Sequence, residues 1–364
     1  MKDYRKRCRE LIKSVYAITH VSKTFRYYSS TLSGLGKILM GILPAIFYGC
    51  TAEETASSAG TVTEEVRLNL TKSIGNQDLR SLDIFVFKDD DLRLLDCYQR
   101  VEKPGEWNGG ITSSPGDIIV SACANSGVLP NEWPVIRSRG SLGNIKASLE
   151  NESRQSPVMS GEIHINAHDG HQDASDISLR ALTSEVYLRS ICCDFKGKAY
   201  EGESITDVRI YLTNINAECG LFDNTIANPG RIINSGMLNE GDLEGFKDPG
   251  LVFLKLEDEI DRAWAKPEAR LWCYPSNPKK DTPGSPFTRL VIEGKVGGTT
   301  YYWPININRE NDGNGVGRNM QYIYDIRITG KGSTDPDIPV EAGNMDIKMR
   351  IERWDEKENC DIGF

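Results

Sequence analysis

The sequence predicts a mostly β protein made of two tandem β-sandwich domains with few short helices. Segments in which apolar and polar residues alternate recur from residue 64 to residue 354, and this period of two is typical of strands with one buried face. Two runs, LDIFVF at residues 82–87 and DIIVSACAN at residues 117–125, are apolar at nearly every position. Such runs predict strands that are buried on both faces. Few segments show the period of a helix.

The N-terminal region predicts secretion, with residues 1–49 as a signal peptide and residues 50–63 as a tether. A basic start precedes the apolar run ILMGILPAIFY at residues 38–48, which is too short to span a bilayer. Gly49 and Cys50 follow, and then a polar tract. This order resembles a bacterial lipoprotein signal, in which Cys50 becomes the lipidated first residue. The alternatives are a shortened membrane anchor and a start codon that is placed too early.

The charge of the chain is divided unevenly. Residues 1–49 hold nine of the 43 Lys and Arg but only two of the 52 Asp and Glu, so the remainder carries 34 basic against 50 acidic side chains. This acidic body would repel phosphates, which argues against nucleic acid as a partner.

The cysteines after Cys50 are seven in number, irregularly spaced and without a CxxC pair. This pattern argues against a zinc site and against a dense disulfide framework. It predicts mostly buried thiols and is compatible with one or two disulfides. The adjacent Cys192 and Cys193 lie in a predicted strand, so they should point to opposite faces and not bond each other.

In the first domain, residues 64–71 (EEVRLNLT) predict a strand that buries Val66, Leu68 and Leu70 on one face. The fully apolar run at residues 82–87 is followed by the turn KDDD and a return strand at residues 92–98, as in a hairpin. Residues 144–150 predict a short helix. A polar stretch at residues 151–176 places the domain boundary there, so we expect domains at residues 64–176 and 177–364.

The second domain is predicted to consist of successive strands, and residues 257–264 are its best helix candidate. The last two strands have the clearest alternation. Residues 320–329 place Met320, Tyr322, Tyr324, Ile326 and Ile328 on one face. Residues 345–354 do the same with Met345, Ile347, Met349 and Ile351.

Three histidines close together, His164, His168 and His171, could bind zinc or a similar ion. The Asp169-Gly170 pair is a turn signature, and a strand that ends near Ile165 would separate the imidazoles. A polar loop between the domains is therefore the preferred interpretation, with no metal.

No other stretch has a catalytic motif, so we expect a protein that is not an enzyme and needs no cofactor. Aromatic residues could form a sugar-stacking face, although aromatic side chains in strands more often pack in a core. They are Trp272, Tyr274, Tyr301, Tyr302 and Trp303.

Together these segments resemble the fimbrillin superfamily of Bacteroidales, the subunits of type V pili and their relatives. The resemblance includes the lipoprotein-like Cys50, SLDIFVF at residues 81–87, IIVSACANSG at residues 118–127 and ISLRALTSEVYL at residues 177–188. It continues through YWPININ at residues 302–308 and the closing pair YDIRITGKGSTDPDIPV and MDIKMRIERW. The matching segments are spread over nearly the whole chain after residue 50. Each of them is a loose pattern of strand residues.

The resemblance implies two β-sandwiches of the transthyretin or immunoglobulin-like Greek-key kind, secreted as an outer-membrane lipoprotein. A trypsin-like protease then removes the first strand with its lipid, and a strand of the next subunit fills the groove. In this chain, the resemblance implies that the removable strand is the one with Val66, Leu68 and Leu70 as its inward residues. Arg80 is the first choice for the cleavage site and Lys72 the second.

The resemblance also implies that the last strand, with Ile347, Met349 and Ile351, and its tail to Phe364 are the donor. The expected partners are other pilus subunits and the outer membrane, through the lipid on Cys50. If Arg80 stays uncut, the alternative is an anchor or tip subunit that remains on the cell surface and binds a host protein or glycan.

Overall fold

A computed structural model describes residues 63–72, 78–129, 131–168, 174–222, 230–309, 313–340, 343–354 and 360–361. The fold is mostly β. The strands up to residue 181 are β1 (Glu64–Lys72), β2 (Leu82–Lys88), β3 (Leu95–Val101), β4 (Gly110–Ser113), β5 (Gly116–Ala124), β6 (Lys146–Ser148), β7 (Met159–Ala167) and β8 (Ser175–Ala181).

The later strands are β9 (Ser184–Cys193), β10 (Thr206–Thr213), β11 (Ile215–Asn216), β12 (Glu218–Gly220), β13 (Ile232–Ile233), β14 (Phe253–Lys255), β15 (Ala269–Cys273), β16 (Arg289–Val296), β17 (Thr299–Asn306), β18 (Met320–Ile328), β19 (Met345–Arg353) and β20 (Cys360–Asp361). The α-helices are short, α1 (Arg139–Gly143) and α2 (Glu240–Leu243), and single 3-10 turns lie at Pro104–Glu106, Leu149–Asn151 and Pro249–Leu251. In the described part of the chain, no helix is long and apolar enough to cross a membrane.

The largest sheet has the strand order β20-β1-β8-β7-β5-β2-β3, and β4 pairs with the first half of β1. β2 and β3 form the hairpin that the sequence predicts. β8 belongs to this sheet through β1 and β7, so the predicted boundary at residues 176–177 falls inside a strand. The division into two domains stays a prediction.

Two hydrophobic cores lie on opposite faces of this sheet. The first core contains Val66, Leu68, Leu70, Leu82, Ile84, Val86, Ile118, Val120, Ile177 and Leu179, among others. The second core takes Phe85, Phe87, Ile119 and Cys123 from the same central strands. The prediction that the strands at residues 82–87 and 117–125 are buried on both faces is therefore confirmed.

The second core continues into two four-stranded sheets, with the orders β14-β10-β16-β17 and β15-β9-β18-β19. Both contribute inward residues to it, as the two layers of a β-sandwich do. Tyr322, Tyr324, Ile326 and Ile328 on β18 are all buried, which confirms the buried face predicted for this strand, while Gln321 and Ile323 on the opposite face are buried as well. β19 pairs antiparallel with β18 over its whole length.

Both predicted helices are wrong. Residues 144–150 lie just after α1, whose N-terminus is capped by Ser138. Within this segment residues 146–148 form β6, because they pair with β12, and this long-range pairing overrides the local spacing of Ile145 and Leu149. The segment at residues 257–264 is also irregular, since Ile260 bridges to Ile205.

Six of the cysteines after Cys50, namely Cys97, Cys123, Cys192, Cys193, Cys219 and Cys273, are free thiols. The disulfides that the sequence allowed are therefore absent among them. Cys192 and Cys193 are both buried and do not bond each other, as predicted.

A buried polar network joins the largest sheet to the loop before β18. The Arg318 guanidinium donates to the carbonyl oxygens of Ala181 at 3.0 Å, Arg180 at 2.7 Å and Ser160 at 3.2 Å. Nearby, the buried Glu152 carboxylate accepts from the Val158 N–H at 3.0 Å and from the Tyr274 hydroxyl at 2.9 Å. Burial raises the pKa of Glu152 from 4.5 to about 7, although both hydrogen bonds oppose the rise.

The raised pKa predicts that the protein loses stability as the pH rises from about 4.5 to about 7. Over this window folded Glu152 holds a proton that the unfolded chain has released, so folding becomes less favourable with each step in pH. Between pH 5 and pH 8, the unfolding free energy of the wild type should fall by roughly 3 kcal/mol more than that of Glu152→Gln. Urea unfolding of both proteins across this range measures the difference, and parallel pH profiles would contradict the prediction.

Candidate strand-exchange site

β1 contributes its apolar face to the first core. Val66, Leu68 and Leu70 are each only 1% exposed, while Arg67 and Asn69 between them face solvent. The predicted alternation of this strand is therefore confirmed. Side chains of this size stabilise a fold by roughly 1.5–3 kcal/mol each when they are fully buried.

The backbone of β1 changes partners at its centre. Residues Glu64 to Arg67 pair antiparallel with β4, and residues Leu68 to Lys72 pair parallel with β8. The last two residues, Thr71 and Lys72, also face β20. A strand in this position therefore needs one polarity, parallel to β8 and antiparallel to β4.

Gly109 is needed at the point where the partners change. The Leu68 N–H donates to the Gly109 carbonyl oxygen at 2.9 Å, and a Cβ at Gly109 would lie 2.6 Å from the Leu68 carbonyl oxygen. Gly109 also has a φ of +81°, which other residues rarely adopt. Sequence reasoning missed this residue, although the turn dipeptide Asn108-Gly109 is a signal that could have found it.

Without β1, the sheet would expose an apolar trough and the unpaired backbone groups of β8. Among the described strands, β4 pairs with β1 alone, so it too would lose its ladder. An added strand can satisfy both the backbone groups and the trough. The arrangement is therefore chemically suited to binding an extended peptide with apolar residues at alternate positions.

The two predicted cleavage sites differ in exposure. Lys72 is partly buried and lies at the end of β1, where its backbone faces β8 on one side and β20 on the other. Arg80 lies after β1, and its side chain is 60% exposed. Ser81, directly after it, is 8% exposed and leads into β2. Arg80 is thus the more accessible basic side chain.

The predicted donor strand, β19, lies at an edge of its sheet. Among the described strands it pairs with β18 alone, and none of its residues is fully buried. Ile347 and Met349 pack partly against the second core, whereas Ile351 is 40% exposed. Trp354, just after the strand, packs on Trp272 with the ring centroids 5.5 Å apart.

The metal site considered as an alternative at the three histidines is not assembled in the described residues. His164 lies on β7, where its Nδ1 is 2.7 Å from Asp89 Oδ2, and His168 follows the end of that strand. Four residues of extended chain span roughly 13 Å, too far for two ligands of one ion. No group of three metal-binding side chains occurs in the part of the chain that the structure describes; His171 lies outside it, as does Cys50.

Three of the five aromatic residues considered for a sugar-stacking face lie in the core, which is the more frequent arrangement noted in the sequence analysis. Trp303 and Tyr274 are fully buried and Trp272 is 3% exposed. The Trp303 indole N–H donates to the Gly330 carbonyl oxygen at 3.0 Å. These rings pack in the core, because their strands form the inner layers of the second core, and only Tyr301 and Tyr302 remain partly exposed.

The burial of β1 predicts that Leu68→Ala will lower the unfolding free energy of the uncut chain by about 2–5 kcal/mol, since a cavity replaces a core side chain. Urea unfolding measures this loss. The matched control is the neighbouring Arg67→Ala, whose side chain is 67% exposed, and it should change stability by less than about 0.5 kcal/mol. Equal effects of the two substitutions would contradict the inward placement of Leu68.

Solved structures from Bacteroidales share this fold. A "putative cell adhesion protein" from Bacteroides eggerthii has a TM-score of 0.61 at 15% identity, over 81% of this chain and 96% of that protein. A fimbrilin from Porphyromonas gingivalis has a TM-score of 0.55 at 14% identity, over 79% and 98%. The tip fimbrial protein Mfa3 from the same species, with a C-terminal truncation, reaches 0.50 at 13% identity, over 80% and 100%.

No protein-family profile matches the chain, and no curated protein matches it by sequence. The likeness therefore concerns the fold, at identities too low to carry residue roles. At that level the resemblance noted in the sequence is confirmed, and this chain has the fold of the fimbrilins and cell adhesion proteins of Bacteroidales.

Proposed function

We propose that this protein is a structural subunit of a cell-surface fimbrium, made as an outer-membrane lipoprotein on Cys50 and assembled by strand exchange. In this proposal a trypsin-like protease cuts after Arg80 and removes β1. The observation that carries it is the combination of a core strand at the start of the described chain with an exposed Arg80 directly before β2. The fold of the structural neighbours supports a fimbrial role. No catalytic residue, cofactor or nucleic acid is required.

The sequence of β19 supports its role as the donor. β1 reads EEVRLNLTK and β19 reads MDIKMRIER, and both have nine residues. Aligned end to end, Ile347, Met349 and Ile351 take the places of Val66, Leu68 and Leu70. Basic residues also coincide, Lys348 with Arg67 and Arg353 with Lys72. A β19 strand from another copy would thus present Ile347, Met349 and Ile351 to the trough and Lys348 to solvent.

Burial favours this transfer. In its own subunit β19 has no fully buried residue, whereas the three positions that it would fill in the trough are 1% exposed. Moving the strand therefore increases the apolar area removed from water. Each Å² of that area contributes roughly 25 cal/mol of stabilising free energy. The free energy gained in the trough helps to offset the lost pairing with β18.

A second candidate function is an uncut anchor or tip subunit that stays on the outer membrane and binds a host protein or glycan. The burial of Ser81 next to Arg80 favours it, because a protease needs both residues to leave the fold. With Trp272 and Trp303 buried, the aromatic support for glycan binding is limited to Tyr301 and Tyr302.

The cleavage step predicts that a low dose of trypsin converts the full chain into one stable fragment with Ser81 as its N-terminus, which then polymerises. N-terminal sequencing and electron microscopy measure the two outcomes. Arg80→Ala should yield no such fragment, whereas Lys72→Ala should still yield it. A fragment that starts at Ser73, or digestion at many sites without polymers, would contradict cleavage after Arg80.

The donor step predicts that Ile351→Glu abolishes polymerisation while it leaves the subunit folded. The side chain is 40% exposed in its own subunit, so the substitution should cost little there. In the trough of the next subunit, the same position would bury an unpaired carboxylate, which costs several kcal/mol. Light scattering after trypsin treatment measures assembly.

The control for this experiment is Lys348→Glu, at an exposed position of the same strand that aligns with the solvent-facing Arg67 and so faces solvent in both settings. It should assemble as the wild type does. Normal assembly of Ile351→Glu would exclude the proposed register of β19 in the trough.

A further inference from the structure

One residue, Asn125, holds the backbone on both sides of the peptide bond between Arg80 and Ser81, through its side chain on one side and its backbone N–H on the other. It follows β5 directly. Its Oδ1 accepts from the Arg80 N–H at 2.8 Å, and its Nδ2 donates to the Asp78 carbonyl oxygen at 2.8 Å. Its own backbone N–H donates to the Ser81 carbonyl oxygen at 3.1 Å.

Further contacts fix this arrangement in place. Asn125 Nδ2 also donates to the Pro157 carbonyl oxygen at 3.0 Å, and the Asp78 N–H donates to the Gln155 carbonyl oxygen at 2.7 Å. Asn125 has a φ of +57°, a conformation that Asn tolerates better than most residues. The amide thus ties residues 78–81 to the end of β5 and to the segment before β7.

These contacts bear on proteolysis, because a serine protease must bring the scissile carbonyl group to its nucleophile and its oxyanion donors. The backbone around the bond must therefore leave its own partners first. The Arg80 side chain is displayed to solvent, but the Arg80 N–H and the Ser81 carbonyl oxygen are both occupied. The fold therefore exposes the side chain that a trypsin-like protease recognises, but it keeps the peptide bond that the protease cuts tied to neighbouring backbone.

We propose that Asn125 is a clamp that sets the rate of cleavage after Arg80 and so the rate at which the subunit becomes competent for assembly. This inference rests on the proposed function. In the step itself the protease catalyses addition of water across the Arg80–Ser81 bond, which leaves the Arg80 carboxylate and the Ser81 ammonium. When opening and closing of the segment are fast relative to cleavage, the cleavage rate follows the fraction of molecules in which the clamp is open.

The test uses trypsin on the full chain under native conditions. Asn125→Gly removes the amide and keeps the backbone geometry, since Gly adopts positive φ readily. Asn125→Asp keeps the acceptor for Arg80 but turns a carboxylate toward two carbonyl oxygens. Both variants should form the fragment that starts at Ser81 at least about tenfold faster than the wild type. Asn125→Gly loses both side-chain hydrogen bonds to residues 78–81, and Asn125→Asp replaces the bond to Asp78 by repulsion between a carboxylate and the Asp78 carbonyl oxygen.

The matched control is Asn308→Gly. Asn308 has a φ of +48° and donates through its side chain to the Gly315 carbonyl oxygen at 2.8 Å. Its hydrogen bonds to Gly315 therefore leave residues 78–81 untouched. Its cleavage rate after Arg80 should stay within about twofold of the wild type. The urea midpoints of all variants show whether a faster cleavage comes from local release of residues 78–81 or from a general loss of stability.

The outcomes separate the clamp from the proposed function. Unchanged rates in Asn125→Gly and Asn125→Asp, with a Ser81 fragment from every protein, would overturn the clamp and leave the cleavage site intact. Equal acceleration by Asn308→Gly, or acceleration at all sites in proportion to lost stability, would also overturn the clamp. If no protein yields a Ser81 fragment, the cleavage step of the proposed function fails.

Discussion

The burial of Val66, Leu68 and Leu70 is the constraint on which the first sheet depends. These three side chains complete the first core, and the strand that carries them supplies the ladder for β4, one edge of β8 and the contact to β20. β1 is thus central to the packing but terminal in the described chain. If β1 were removed, the site that it leaves would match only a strand of the same polarity and the same alternation.

The walls of this site are held independently of β1. β2 and β5 bury one face in the first core and the other in the second core, so half of their packing is unaffected by the loss of β1. The end of β8 is tied to the loop before β18 by Arg318, which bonds the carbonyl oxygens of Arg180 and Ala181. Asn319 adds an acceptor for the Ala181 N–H at 3.2 Å. These strands are therefore held in place by the second core and by the loop before β18 as well as by β1.

Local patterning predicted most of the strands that build the site. β1, β2, β5, β18 and β19 all follow alternation or two-sided burial, which depend on neighbours within a few residues. What failed depended on distant partners. Residues 146–148 became a strand because β12 lies beside them, and Trp272 and Trp303 are buried because of the layers in which their strands lie. The roles of Gly109 and Asn125 were missed for the same reason, since each contacts a segment about 40 residues earlier in the chain.

Cleavage would change the competition between the resident strand and an incoming one. While β1 is covalently joined to β2, its local concentration at the trough is set by a short linker and lies in the millimolar range or above. A strand of another subunit competes against that concentration, so exchange is disfavoured however well β19 fits. Once the Arg80–Ser81 bond is cut, β1 is held by its contacts alone and can be lost to dilution. In the proposed assembly the hydrolysis would make the exchange directional, and burial of β19 in the trough would then determine how stable the assembled state is.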